Sequence, residues 1–177
     1  MPVTPFHLGP GMALKSVTGR WFSFLAFGFA QVAMDIEPGI GMLREAPTLH
    51  GWTHTYAGAT LIGAIVFALA RPAGRPILRW WNAELRRNRL DRLAGADAIA
   101  PMAAAAGAFI GTYSHVLLDS FMHADMRPFA PFSDANGLLG MVPVIPLYIG
   151  CALAGALGAA AWIAIGMRRR PVVANSD

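Results

Sequence analysis

From Leu138 to Met167 no side chain carries a charge. A helix needs about 20 consecutive apolar residues to cross the ~30 Å hydrocarbon core of a bilayer, and this run supplies them even with Pro143 and Pro146 near its start. Three further apolar stretches, Trp21–Met34, Ala57–Ala70 and Ala98–Leu118, repeat the pattern. Segments of this kind must be buried in protein or in lipid. The chain is 55% hydrophobic and only 14% charged, with a mean hydropathy of +0.47. That balance favours lipid.

At 177 residues the chain is one domain. The expected fold is all-α, a multi-pass membrane bundle of four long helices plus a short N-terminal helix. It spans residues 1–170, with 171–177 a loose tail. Thr4 and Pro5 form a helix start, and Gly19 ends the short first helix. Pro38-Gly39 stops the second and Pro72 the third. The first two long runs are shorter than a full span, so polar helix ends or local thinning cover the difference. Residues 71–97 change character. Arg71, Arg75, Arg79, Arg86, Arg87, Arg89 and Arg92 are interleaved there with Trp80 and Trp81, a pattern expected of an Arg-rich loop or interfacial helix at anionic headgroups.

Charge sets the orientation. With the 71–97 segment and Arg168–Arg170 facing the cytoplasm, alternating spans put Lys15 and Arg20 on the same side, and only Arg44 and Arg127 lie opposite. The formal charge of +4 is therefore read as a topology signal, and nucleic acid is not an expected partner. Membrane lipid is, together with a small-molecule or lipid substrate. The single cysteine, Cys151, permits neither an internal disulfide nor a thiolate metal site.

The same topology gathers the chain's 5 histidines at the outer end. The second helix arrives there with Asp35 and Glu37, and the third leaves from His50 and His54. The fourth ends in His115 and Asp119, followed by His123 and Asp125. His7 returns to this end if residues 5–18 and 21–36 form a hairpin through Gly19. His115, Asp119 and His123 are spaced by four, which places them on one helix face. Imidazole and carboxylate suit a divalent metal. Acids at a helix C-terminus oppose the macrodipole, so Asp35 and Glu37 call for a compensating cation.

The ordered set Thr4-Pro-Phe-His7-Leu-Gly9, Asp35, Gly51-Trp-Thr-His54-Thr and Ser114-His115-Val-Leu-Leu-Asp119 resembles the YdjM-type inner-membrane proteins, which are described, by inference, as membrane-bound metal-dependent hydrolases. The order His, Asp, His, HxxxD is also similar to the zinc site of phospholipase C and P1 nuclease, which cleave phosphodiesters. Carried over, that likeness implies His7, Asp35, His54, His115 and Asp119 as ligands of one or two divalent ions, zinc foremost, with Asp119 able to bridge. Where family members carry His-Arg-Gly this chain has Leu49-His50-Gly51, and the second HxxxD or HxxxE is absent. His123 joins the expected ligands from its spacing alone.

The expected function is hydrolysis of a phosphoester or lipid-linked substrate at the outer face of a bacterial inner membrane. Glu37 and Asp125 are the candidate proton acceptors. The alternatives are a non-catalytic membrane adaptor with a structural metal, and a haem-binding helical protein with histidine axial ligands. A transport pathway is disfavoured, because the middle of each apolar run lacks ionisable residues.

Overall fold

The computed structural model describes residues 5–168, and every regular element among them is helical. Thr4, Arg169, Arg170 and the 171–177 tail lie outside the described residues. A single 3-10 turn, Pro5–His7, leads into α1 (Leu8–Thr18). Four longer helices follow: α2 (Phe24–Leu43), α3 (Tyr56–Arg87), α4 (Pro101–Met122) and α5 (Val144–Arg168). By length and composition three of them, α3, α4 and α5, can cross a membrane. The expectation of four such spans is corrected at α2, which carries Gln31, Asp35 and Glu37 along its length.

Two proline stops also fail. α2 runs through Pro38 to Leu43, and α3 runs through Pro72 and Pro76 to Arg87. A proline inside a helix removes one N–H donor and crowds the carbonyl four residues back. Packing offsets that loss. Pro38 is buried. Beyond Pro72, Gly74, Asn82 and Leu85 are buried beneath the chain that returns to α4. Asn82 pins that return, since its Nδ2 donates to Gly95 O at 3.0 Å and Asp97 Oδ1 at 2.6 Å, and its Oδ1 accepts from Gly95 N at 3.0 Å. The arginine-rich segment is therefore a continuation of α3 as far as Arg87. A 32-residue helix is about 48 Å long at 1.5 Å per residue, longer than the hydrocarbon core alone requires.

The extension of α2 has a second effect. Asp35 and Glu37 sit inside the helix rather than at its end, so the macrodipole argument for a cation beside them does not apply.

Small residues set the packing. Ala26 and Ala30 of α2 meet Ala103, Ala104 and Ala108 of α4, and Val66 and Ala70 of α3 complete this core. A Cβ on Gly107 would lie 2.4 Å from Ser23 O, so glycine there lets the two backbones touch. Close approach of this kind is how helices gain dispersion energy where lipid removes the hydrophobic drive between them. The start of α2 is fixed in the same place: Ser23 Oγ accepts from Ala26 N at 3.1 Å, and Ser23 N donates to Ala103 O at 3.1 Å.

α1 does not pair chiefly with α2, as a simple hairpin would require, but lies along α5. Gly19, at φ 55°, makes the turn that frees it. Gly9 and Gly158 form the seam. A Cβ at Gly9 would fall 1.9 Å from Cys151 O, and one at Gly158 would fall 2.5 Å from Ala13 N. The rest of α5 is open, with Leu153 and Leu157 exposed as expected of a lipid-facing helix.

This seam generates a stability prediction. Gly158→Ala should cost about 1–3 kcal/mol by overpacking against backbone that cannot swing aside. Gly150→Ala, on the same helix with nothing within 4 Å of the added atom, should not lower the melting temperature in detergent. Equal melting of the two variants would show that α1 is not seated on α5 in this way.

Candidate metal centre

Four elements together deliver a buried cluster. The turn before α1 brings His7, and α2 brings Gln31, Asp35 and Glu37. The 3-10 turn Trp52–His54 brings His54, and the last turns of α4 bring His115 and Asp119. His123 caps the C-terminus of α4, its N–H donating to Asp119 O at 2.9 Å. The local reasons are legible. Thr55 Oγ1 accepts from Gly58 N at 3.0 Å and starts α3, which forces the preceding residues into the turn that presents His54. A side chain at Gly58 would collide with Trp52 O at 2.2 Å, and one at Gly51 with the Glu37 carboxylate.

Asp119 lies at the centre. His115 Nε2 is 3.1 Å and His54 Nε2 3.6 Å from its Oδ2, while His7 Nε2 is 3.4 Å and His123 Nε2 3.8 Å from its Oδ1. Asp35 Oδ1 stands 3.6 Å from His115 Nε2. His7, His54, His115 and Asp119 are all buried, at 2, 1, 0 and 3% exposure. Burial this complete ordinarily obliges a polar atom to find a partner. Nonetheless both ring nitrogens of His7, and Nε2 of His54 and of His115, make no hydrogen bond.

The outer nitrogens explain which lone pairs point inward. Gly111 O can only accept, so it orients the Gln31 amide by taking Nε2–H at 2.9 Å; Gln31 Oε1 then accepts from His115 Nδ1–H at 2.8 Å. Glu37 Oε2 accepts from Thr53 N at 3.1 Å and from the Thr53 hydroxyl, whose oxygen in turn accepts from His54 Nδ1–H at 3.0 Å. His50 Nδ1–H donates to Asp125 Oδ1 at 2.8 Å. In all three histidines an oxygen engages Nδ1 and orients the ring, leaving Nε2 outside these hydrogen bonds. This is the arrangement by which outer partners fix the tautomer of a metal-ligating histidine.

The electrostatics agree at the groups outside the membrane-crossing helices. Burial first, then the charge of His115, pulls His7 down to about 4 and His54 down to about 3. Burial also lowers His123, with His50 next. These rings are neutral at neutral pH, as a ligand must be. Asp125 stays below the ordinary carboxylate range: partial burial pushes it up, but bonds from Leu49 N at 2.9 Å, His50 Nδ1 at 2.8 Å and His50 N at 3.1 Å outweigh that.

All the carboxylates and histidines named from the sequence are thus placed around one end of the bundle. His7, Asp35, His54, His115, Asp119 and His123 point at one another. Glu37 and Asp125 stand behind them as acceptors for Thr53 and His50. Three ligand-competent groups fall within 4.8 Å, His7–His115–Asp119, His50–His54–Asp119 and His50–His123–Asp125. His50, left outside the carried-over set, belongs to two of them, and its ring stacks on His123 at 4.2 Å between centroids. Gln31 was not anticipated as a site residue. Its signal was present: it is a lone amide in an apolar run, one helical turn before Asp35 and hence on the same face.

The model of the YdjM inner membrane protein family matches residues 11–175. The chain belongs to the YdjM family of inner membrane proteins. The matched span holds every candidate ligand of this YdjM chain except His7, which precedes it. No curated protein and no solved structure matches the chain.

Two predictions follow from the neutral rings and the amide behind them. His7 and His54 take up protons less readily folded than unfolded, so below about 6.5 the unfolded state binds more protons and stability is lost as the pH is lowered. In chelator-treated protein the melting temperature should drop steadily from pH 6.5 to pH 4; a flat profile would mean that the two rings are solvated. Gln31→Leu strands the His115 Nδ1–H and should cost about 1–3 kcal/mol in the same assay.

Proposed function

We propose that this YdjM protein is a membrane-embedded metal-dependent hydrolase acting on a phosphoester or lipid-linked substrate at the outer face of the inner membrane. One observation carries the reading: buried imidazole lone pairs from three separate elements converge on the Asp119 carboxylate without a hydrogen-bond partner. Uncompensated burial of polar atoms is costly. A cation bound among them relieves that cost, and the donor set, neutral imidazole plus carboxylate, suits zinc or a similar divalent ion.

His7, His115 and Asp119 would hold one ion, and His50, His54 and Asp119 a second. Asp35 stands beside His115, and His123 beside Asp119. When bound, such an ion supplies a water of lowered pKa and polarises a phosphoryl or acyl oxygen. The chain's own residues do the rest. Gln31, Thr53 and Asp125 keep Nδ1 of their histidines protonated. Glu37 is the better placed of the two expected proton acceptors, because both oxygens of Asp125 are committed to His50 and Leu49. Glu37 engages Thr53 through Oε2. The placement of the site opposite the arginine-rich end of α3 supports the orientation with the metal on the periplasmic side and the arginines in the cytoplasm.

The near-complete burial of His7, His54 and His115 favours one rival, a structural metal in a non-catalytic membrane adaptor. A haem is disfavoured, since the His7 and His115 rings are 4.6 Å apart and Asp119 lies among them where a macrocycle would need space.

Elemental analysis of detergent-purified protein tests the reading. Wild type should carry one or two equivalents of zinc or manganese, with His115→Ala and Asp119→Ala empty. Gln31→Leu should bind about 10–100-fold more weakly, as expected for loss of an orienting partner. Full occupancy in both alanine variants would sink the assignment. Metal retained in wild type with no hydrolysis of phosphodiester or lipid substrates would leave the structural rival.

A further inference from the structure

A groove of about 400 Å³ opens on the outer surface between α2 and α3. Ala33, Ile36 and Ile40 form one wall and Ile62 and Ile65 the other. Ile36, Ile40 and Ile65 are exposed at 55, 44 and 48%, so the groove is open from the side. α2 approaches the histidine cluster along its length and α3 leaves it, so the groove runs parallel to both. Its inner end lies beside Ile65 on a helix able to cross the membrane. Toward its other end Glu37 and Thr53 line it, with Ile40 one turn beyond Glu37 on α2; they are the hydrogen-bonded pair that holds His54 Nδ1.

We infer that this groove seats a hydrocarbon chain of a membrane lipid and directs the lipid's headgroup to the histidine cluster. The inference deepens the hydrolase reading and rests on it for the headgroup's fate. The occupant follows from position. A groove open sideways on a membrane-crossing helix faces acyl chains, not water, and its walls are branched aliphatic side chains that lose nothing by meeting them. Its polar lining is Glu37 and Thr53, toward the outer end and one residue from a buried ring aimed at Asp119. A lipid aligned with the helices would therefore change from apolar to polar where the protein does. A water-soluble substrate has no use for the four aliphatic residues, Ala33, Ile36, Ile62 and Ile65, on the inner side of that polar pair.

The test does not need turnover. The full-length protein is placed in nanodiscs of phosphatidylethanolamine and phosphatidylglycerol, with a fraction of the phosphatidylglycerol carrying a diazirine at the end of one acyl chain. After illumination, adducts are mapped by peptide mass spectrometry, and metal content is measured on the same samples. Adducts should concentrate on Ile36, Ile62 and Ile65. They should be lost in Ile65→Trp and in Ile36→Trp, which fill the groove from exposed positions. Leu157→Trp, on the exposed face of α5, should leave them unchanged. Adducts spread evenly over the exposed residues of α3 and α5, or groove adducts that survive both tryptophans, would overturn the proposal. Metal content separates the two readings: groove labelling in a protein that binds no metal supports the groove and removes the hydrolase, whereas metal without groove labelling removes the groove alone.

Discussion

A buried carboxylate cannot stand alone, and the arrangement of this bundle follows from how Asp119 is accommodated. Removing an ion from water is expensive unless charge and hydrogen bonds replace the lost solvent. Asp119 receives no lysine or arginine. It is surrounded by His7, His54, His115 and His123, drawn from the N-terminal turn, the turn before α3 and two successive turns at the end of α4. Burial keeps His7, His54 and His123 from taking up protons, so those rings do not themselves neutralise the carboxylate. Ring nitrogens of His7, His54 and His115 are buried beside it without a hydrogen-bond partner, and that is what makes the cluster more than a packing feature.

The outer hydrogen bonds show the same logic one layer back. Gln31, Thr53 with Glu37, and Asp125 are unlike one another in chemistry and come from different parts of the chain. Each supplies an oxygen to an Nδ1–H. Substituting any of them need not change shape, but it would free a ring to flip or to exchange tautomers. Preorganisation of this kind is stored in secondary structure: an α2–α4 contact tight enough for glycine at 107 sets the distance from Gln31 to His115.

Much of this was legible before any coordinates. Apolar runs located the long helices, and the i, i+4 spacing of His115 and Asp119 put them on one face. Turn residues were less informative. Pro38 and Pro72 read as stops because proline lacks a donor, yet burial of the segments beyond them offsets one missing bond, and tertiary packing of that kind leaves no local mark. The same overextension moved Asp35 and Glu37 off a helix end. Gln31 was visible only as a polar interruption, since a single amide becomes meaningful when its neighbour across the interface is known. His50 was left out on a motif comparison, while its role depends on Asp125, seventy-five residues later.

The seam between α1 and α5 sets an order of assembly. His7 is among the first residues of the chain, but the helix that carries it rests mainly on the last helix, through Gly9 and Gly158. During synthesis α2, α3 and α4 can associate as soon as α4 has emerged, bringing His54, His115 and Asp119 together. Before α5 leaves the ribosome His7 has only its contact with the His115 ring and the lesser packing of α1 on α2. The site is therefore closed when α1 seats on α5, and a chain truncated before α5 would display the α2–α4 part of it with His7 loosely held.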